Sequence, residues 1–497
     1  MIDIGNTFAL IALLAWPGVV ALLFHLLPVQ RALIWSILGA YMALPQLSAI
    51  NLPLVPPLNK ESIPNLAAFL ACMMALGRMP QLMPAGWVGR LLLVLFVVSP
   101  AVTVLTNLEP VRFGVDSFGA LRLIDPNGLE TWGLPGLRIY DSASALAQQM
   151  FLMLPFFLAR ELLRDEAAIR EILLALVVAG AIYALPMLWE VRVSPQLHTQ
   201  LYGFFQHDFA QAIRDGGFRP FVFMPHGLWV AFFAFMVAMA AAVRLREAPP
   251  RSGAWRMLAL GMAGGLVLIC KSMGAIVFTL VFVPVALVFR ARAQLLLSLV
   301  IVVLVIAYPL LRGSGLIPTE ALVEQVAQIS DERAESLQYR FTNEDRVLAH
   351  VEAKPLFGWG GWGRFMVYDP ASGRSQTVVD GSWIITIGHY GWLGYIAMFG
   401  LLALPVIALW IEARRGGAAP VPLAVSTLAL ILAVNMLDML PNATLIPLTW
   451  LIAGALTGYV EDMRRATTDA RAARLRRAHE SVVLGTETAP GPRRTLL

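Results

Sequence analysis

Apolar runs of bilayer length, broken by short polar connections, make up most of the chain. A helix needs about 20 apolar residues to cross a bilayer. Runs of that order lie near 6–27, 32–50, 62–78, 87–106, 143–162, 168–190, 222–244, 255–273, 274–290, 294–312, 384–411, 420–440 and 443–461. The pattern predicts an all-α polytopic membrane protein with about thirteen transmembrane helices (range 12–14), the third of them short. The eighth and ninth are nearly continuous, so a tight turn is expected at Ser272–Gly274. One stretch breaks the pattern. Residues 313–383 are polar and charged, with S-L-Q-Y-R-F-T-N-E-D-R at Ser336–Arg346 and K-P-L-F-G-W-G-G-W-G-R at Lys354–Arg364. Charges and unpaired backbone groups are costly in hydrocarbon, so this segment belongs in water at one face of the membrane.

Composition agrees. The chain has 497 residues, 58% hydrophobic and 14% charged, against roughly 25% charged in soluble domains. The net charge of +5 is modest, and its placement says more than its sum. No nucleic-acid partner is expected. Two cysteines, Cys72 and Cys270, both in apolar runs, offer no disulfide framework or thiolate metal site. No basic n-region precedes the first apolar run, so no cleavable signal peptide is expected.

Thirteen crossings place the connections that hold Arg31, Arg78, Arg90, Arg160, Arg164, Arg170, Arg244, Arg246, Arg251, Arg256, Arg290, Arg292, Arg414 and Arg415 on one side, together with the arginine-rich C-terminal tail. The positive-inside rule makes that side the cytoplasm. The N-terminus is then outside and the C-terminus inside. Four regions follow: 1–312 with ten spans and outer loops near 107–142 and 191–221, the outer loop 313–383, three more spans in 384–461, and the basic tail 462–497. The tail reads as an anchor on anionic headgroups, or as a docking helix for a cytoplasmic partner.

Several outer residues invite two readings each. Within 313–383, helices are expected near Pro318–Leu337 and Asn343–Ala353, with Arg340 and Arg346 between and after them. Trp359 and Trp362, set among glycines, offer flat faces for a sugar ring or pack a tight loop at headgroup level. Arg219, before Pro220, and His226 lie at the outer edge of the seventh span. A cation there snorkels to headgroups or holds a phosphate. Lys271 offers the same pair of readings at the end of the eighth span. Asp380 precedes the eleventh span, where a carboxylate caps the helix or takes a proton from a sugar hydroxyl.

In this order the pieces resemble the O-antigen ligase and polymerase superfamily of bacterial envelope glycosyltransferases, over roughly Asp208–Ala403. Arg219-Pro220 matches that family's Arg-Pro before a span, and Lys271-Ser272 loosely matches its Ser-Arg pair. Arg340 matches the Arg of the family's large periplasmic loop. Pro355, Gly358 and Gly360 match its P-x-x-G-x-G element. Asp380-Gly381 stands at its His-Asn position, with Gly391 and Gly394 at its spaced glycines. The chain departs in having Asp380 for the His usual in lipid A core ligases, Gly381 for the Asn, and Lys-Ser for Ser-Arg; the missing His turns the resemblance towards a polymerase or exopolysaccharide member.

The resemblance implies a GT-C-like fold in the bacterial inner membrane with its active site at the periplasmic face. It implies polymerisation or transfer of oligosaccharide repeat units from an undecaprenyl-diphosphate-linked donor to a glycan or lipid-linked acceptor. Polysaccharide export or chain-length-control proteins are further partners it allows. Arg219, Arg340 and Asp380 then stand as the catalytic candidates. Arginine forks suit the leaving diphosphate, and Asp380 suits orienting or deprotonating the acceptor hydroxyl. Arg346, Lys271, His226, Trp359 and Trp362 stand as substrate-binding candidates. The outer segments carry neither an Asp-x-Asp pair nor a His/Cys cluster, so an inverting, metal-independent reaction without cofactor is expected. The alternatives are an O-antigen ligase acting on lipid A core or another acceptor, and a lipid-linked oligosaccharide flippase. A flippase calls for ionisable groups mid-span and an internal repeat. Glu190 and Asp438 lie near span ends, and no repeat is visible.

Overall fold

The computed structural model describes residues 4–52, 55–113, 121–124, 130–249, 252–328, 330–369, 372–415 and 420–487. The helices are α1 (Thr7–Leu26), α2 (Val29–Ala43), α3 (Ser62–Leu76), α4 (Trp87–Leu105), α5 (Ile139–Leu162), α6 (Glu166–Arg192), α7 (Leu197–Tyr202) and α8 (Gly227–Arg246). They continue as α9 (Gly253–Ile269), α10 (Met273–Val288), α11 (Ala291–Gly313), α12 (Thr319–Ala327), α13 (Asp331–Val351), α14 (Ser382–Arg414), α15 (Leu423–Asp438) and α16 (Pro447–Glu487). Every apolar run of the sequence is helical. Seven helices, α1, α4, α5, α6, α8, α11 and α14, are long and apolar enough to cross a membrane, while α3, α9, α10 and α15 are shorter apolar helices. The protein is an all-α membrane protein in this sense, with only short antiparallel strand pieces among the described residues. The largest is a three-stranded sheet of Val111–Phe113, Leu121–Ile124 and Glu130–Leu134 in the segment between α4 and α5.

Helices α8 and α15 are the most enclosed, with most of their residues buried. Around them the bundle closes through small residues. A Cβ on Gly454 would lie 2.2 Å from the Phe156 carbonyl oxygen, and one on Gly458 2.2 Å from that of Arg160. This G-x-x-x-G spacing lets α16 lie directly on the backbone of α5.

The arginine-bearing connections meet one another at one end of the bundle. Arg31 pairs with Glu171 at 2.8 Å, Arg170 with Glu247 at 3.4 Å, Arg160 with Glu461 at 3.0 Å and Arg464 with Glu412 at 2.6 Å. Arg78 pairs with Glu161 there too. The remaining connections meet at the opposite end, where Lys60 donates to the Phe223 carbonyl at 2.6 Å, Thr103 to Phe357 at 2.6 Å and Ser382 N–H to Met439 at 2.9 Å.

Three boundaries differ from the sequence expectation. The second apolar helix stops at Ala43 rather than near 50, because Leu44 precedes Pro45 and is extended (φ −76°, ψ 153°). The turn after α9 falls at Cys270–Ser272, with Lys271 at φ +48°. In 313–383 the two expected helices are divided elsewhere. The break comes before Asp331, where Ser330 is the extended N-cap and Asp331 and Glu332 occupy the first turn. Helix α13 then runs unbroken past Arg340, since no Gly or Pro interrupts Ser336–Ala349.

Candidate functional site

A cleft of about 790 Å³ opens at the end of the bundle away from the arginine-bearing connections. Three helix N-termini reach it: His226 and Leu228 from the start of α8, Ser272 and Met273 from the start of α10, and Asp380, two residues before α14. Helix N-termini carry partial positive charge and unpaired N–H groups, so their convergence makes an anion-favouring place.

Arg340 and Asp380 line this cleft and face each other, Nη2 to Oδ2, at 3.5 Å. Asp380 is half exposed, and the N-cap of α14 is Gly381 with no side-chain cap bond. The capping reading of Asp380 therefore does not hold. Its carboxylate points to Arg340. Arg340 also donates to the Pro441 carbonyl at 3.3 Å, which holds α13 against the α15–α16 connection.

Arg219 lies beside this cleft, against the first turn of α8. It is fully buried, and none of its three guanidinium nitrogens has a hydrogen-bond partner. A Cβ on Gly227 would stand 2.3 Å from Arg219 Nε, so only glycine admits the guanidinium here. Arg219 is not a headgroup snorkeller. Burial lowers its pKa to about 10, which leaves it charged at neutral pH. An uncompensated buried charge of this kind costs several kcal/mol. His226 is the N-cap of α8, with Nδ1 accepting from Leu228 N–H at 3.1 Å. Burial, then the charge of Arg219, push its pKa down to about 3. His226 therefore acts as a neutral group.

The other sequence candidates lie elsewhere. Lys271 Nζ donates to the carbonyls of Arg214 at 2.8 Å and Asp215 at 3.4 Å and so pins a two-stranded hairpin, Ile213–Arg214 with Gly217–Phe218. Its neighbour Ser272 lines the cleft instead. Arg346 is six residues beyond Arg340 on one helix, about 240° around it at 3.6 residues per turn. It lines a separate groove between α12 and α13 and donates to the Gln376 carbonyl at 3.2 Å.

Trp359 does not offer a free face. It stacks on His350 at 4.2 Å with Lys354 Nζ 4.8 Å from its ring, and its Nε1–H donates to the His350 carbonyl at 3.1 Å. Trp362 is 83% exposed and is not among the cleft residues. The P-x-x-G-x-G element is a docking device. Helix α14 is broken at Gly391 (φ 65°, ψ −169°), which frees backbone groups on either side. Trp359 N–H then bonds Gly388 O and Gly360 N–H bonds His389 O, each at 2.9 Å. Trp392 N–H bonds Pro355 O at 2.8 Å. Buried Arg364 fastens the same loop, donating to the carbonyls of Trp359 (3.1 Å), Pro135 (2.8 Å) and Glu109 (2.8 Å).

Sequence reasoning gives no place in the cleft to His207, Arg214, Asp438 or Asn442, among others. Asp438 accepts from Asn442 at 2.9 Å and Thr444 at 2.7 Å. An ionisable residue at the end of an otherwise apolar helix was the available signal for it. Arg214 sits in R-D-G-G, a turn sequence whose hairpin was readable. Glu190 is fully buried but is bonded to the N–H groups of Leu197, Phe221 and Val222, so it builds the loop that carries Arg219.

Compared with models of known protein families and with curated proteins, the chain matches none.

Proposed function

We propose that this protein polymerises or transfers undecaprenyl-diphosphate-linked oligosaccharide at the periplasmic face of a bacterial inner membrane, acting as an inverting glycosyltransferase of surface-polysaccharide synthesis. In this reading all thirteen apolar helices cross, the fold is GT-C-like, and the arginine-bearing end is cytoplasmic by the positive-inside rule. The observation that carries it is Arg340 facing Asp380 where three helix N-termini meet, with buried, unpartnered Arg219 behind one of them, against the first turn of α8. Such a place favours a diphosphate over a neutral ligand.

The acceptor hydroxyl attacks the anomeric carbon of the donor. A new carbon–oxygen bond forms as the bond from that carbon to the phosphate oxygen breaks, with inversion. Asp380 takes the hydroxyl proton. Protonation removes its negative charge and with it the hold on Arg340, whose guanidinium is then free for the charge growing on the leaving diphosphate. Arg219, buried without a protein partner beside the cleft, adds its positive field to the same place. Stabilisation of developing charge by preset donors is usually the largest catalytic contribution.

The test is reconstitution in liposomes with an undecaprenyl-diphosphate oligosaccharide, a lipid A core acceptor and EDTA. Release of undecaprenyl diphosphate together with a lengthened lipid-linked glycan supports polymerisation. Release with glycan moved only to a lipid A core acceptor supports the ligase form. Movement of intact donor across the bilayer without release overturns the transferase reading.

A further inference from the structure

A second cavity, about 300 Å³, adjoins the first and holds none of the cations that mark it. It lies between α3, α4, α5 and α14, and Ala443 lines both cavities. Its walls carry Asn65, Gln149, Thr386, His389 and Tyr390, and its one charged residue is Glu61. Asn65 and Gln149 are almost fully buried, yet the side-chain carbonyl oxygens Asn65 Oδ1 and Gln149 Oε1 have no hydrogen-bond partner. The Asn65 amide nitrogen is held by the Phe151 carbonyl at 3.0 Å, which turns its oxygen away from that bond.

Buried acceptors without donors cost about 1–3 kcal/mol each, and polar residues within membrane helices face cavities that use them. Two free acceptor oxygens beside a carboxylate repel anions and call for a ligand rich in hydroxyl donors. Ring side chains (His389 and Tyr390) supply apolar faces beside them, the mixture typical of small-molecule sites. The volume is at the lower end of ligand pockets, about 300–1,000 Å³, which suits a sugar ring or two and no more.

We infer that this cavity is a binding subsite for an uncharged, hydroxyl-rich sugar, held by Gln149 and Asn65, and that it seats the acceptor glycan while the diphosphate of the donor lies in the neighbouring cleft. The role of acceptor rests on the proposed transfer reaction; sugar binding does not. Ser382, two residues beyond Asp380, lines the second cavity, while Asp380 itself lines the first.

The probe is free oligosaccharide released by mild acid from the lipid-linked repeat units of the native host. Its binding is measured by calorimetry on the full-length protein in detergent, for wild type and for Gln149→Leu and Asn65→Leu variants that elute monodisperse. Either substitution removes an acceptor oxygen at similar volume. At least a tenfold weaker affinity for the oligosaccharide, with half-saturation by the lipid-diphosphate donor unchanged in the liposome reaction, is the expected result. Wild-type affinity in a folded variant overturns the inference even where transfer is active. Sugar binding that depends on Gln149 in a protein showing no transfer upholds the subsite while the transfer reading falls.

Discussion

Asp380 and Arg340 face each other at 3.5 Å, one from the strand-like lead into α14 and the other from the middle of α13. They are forty residues apart in a polar insertion, and the fold brings them to one wall of one cleft. If Asp380 takes the acceptor proton, Asp380→Asn keeps the shape and loses the base. Transfer by that variant is expected to fall about 10²–10⁴-fold, with donor half-saturation changed little. Steady-state kinetics in liposomes measure both.

Arg219 is a buried guanidinium without a hydrogen-bond partner, and the proposed reaction gives that cost a use. Arg219→Met replaces a buried, unpartnered guanidinium with a flexible apolar chain. The variant is expected to be more stable by on the order of 1–4 kcal/mol, while transfer falls about 10²–10³-fold as one charge-stabilising donor is lost. Thermal unfolding in detergent and the liposome assay give the two readings. A variant both less stable and fully active would show that the guanidinium has a structural partner and no catalytic one.

The break in α14 depends on a conformation that is essentially glycine-only, at about 1–3 kcal/mol for other residues. A Cβ on Gly391 would also lie 2.4 Å from the Leu356 carbonyl. Gly391→Ala is therefore expected to undock the Pro355–Gly360 loop and to lower thermal stability by more than the backbone cost alone. Limited proteolysis, with new cleavage inside 354–364, reports the undocking.

Glu344, on α13, faces Arg312 at 3.9 Å, with Asp345 and Arg340 also near it. Burial is the main cause that raises its pKa, to about 7. A carboxyl whose folded pKa is raised contributes its stability below the unfolded value, and loses it as pH rises through the folded one. Stability is thus expected to decline between about pH 5 and pH 8 by on the order of 1–3 kcal/mol. Glu344→Gln flattens that decline. Melting curves at both pH values, for wild type and variant, measure it.

Much of the architecture was readable from sequence because apolar runs report helices directly: all thirteen runs are helical, and the arginines that mark one side meet one another there. What was not readable depends on tertiary placement. The choice between Arg340 and Arg346 needed the knowledge that Ser336–Arg346 lies within one helix, which fixes them on different faces. Trp359 admits a sugar platform or the packing of a tight loop by sequence, and the choice needs His350, across the loop after α13, which covers it. Arg219 was placed at a membrane edge, yet its full burial comes from Gly227 and the α8 backbone folding over it. Asp380 admits a helix cap or a proton acceptor by sequence, and the capping reading falls because Gly381 is the N-cap and the carboxylate faces Arg340.

The central claim is tested most directly by the glycans of a deletion strain complemented with Arg340→Ala, its membrane level matched to wild type. Lipid-linked and polymeric glycans are resolved by size. The account predicts single repeat units accumulating on the lipid carrier and loss of polymer. Unchanged polymer, with the variant protein present in the membrane, would contradict it.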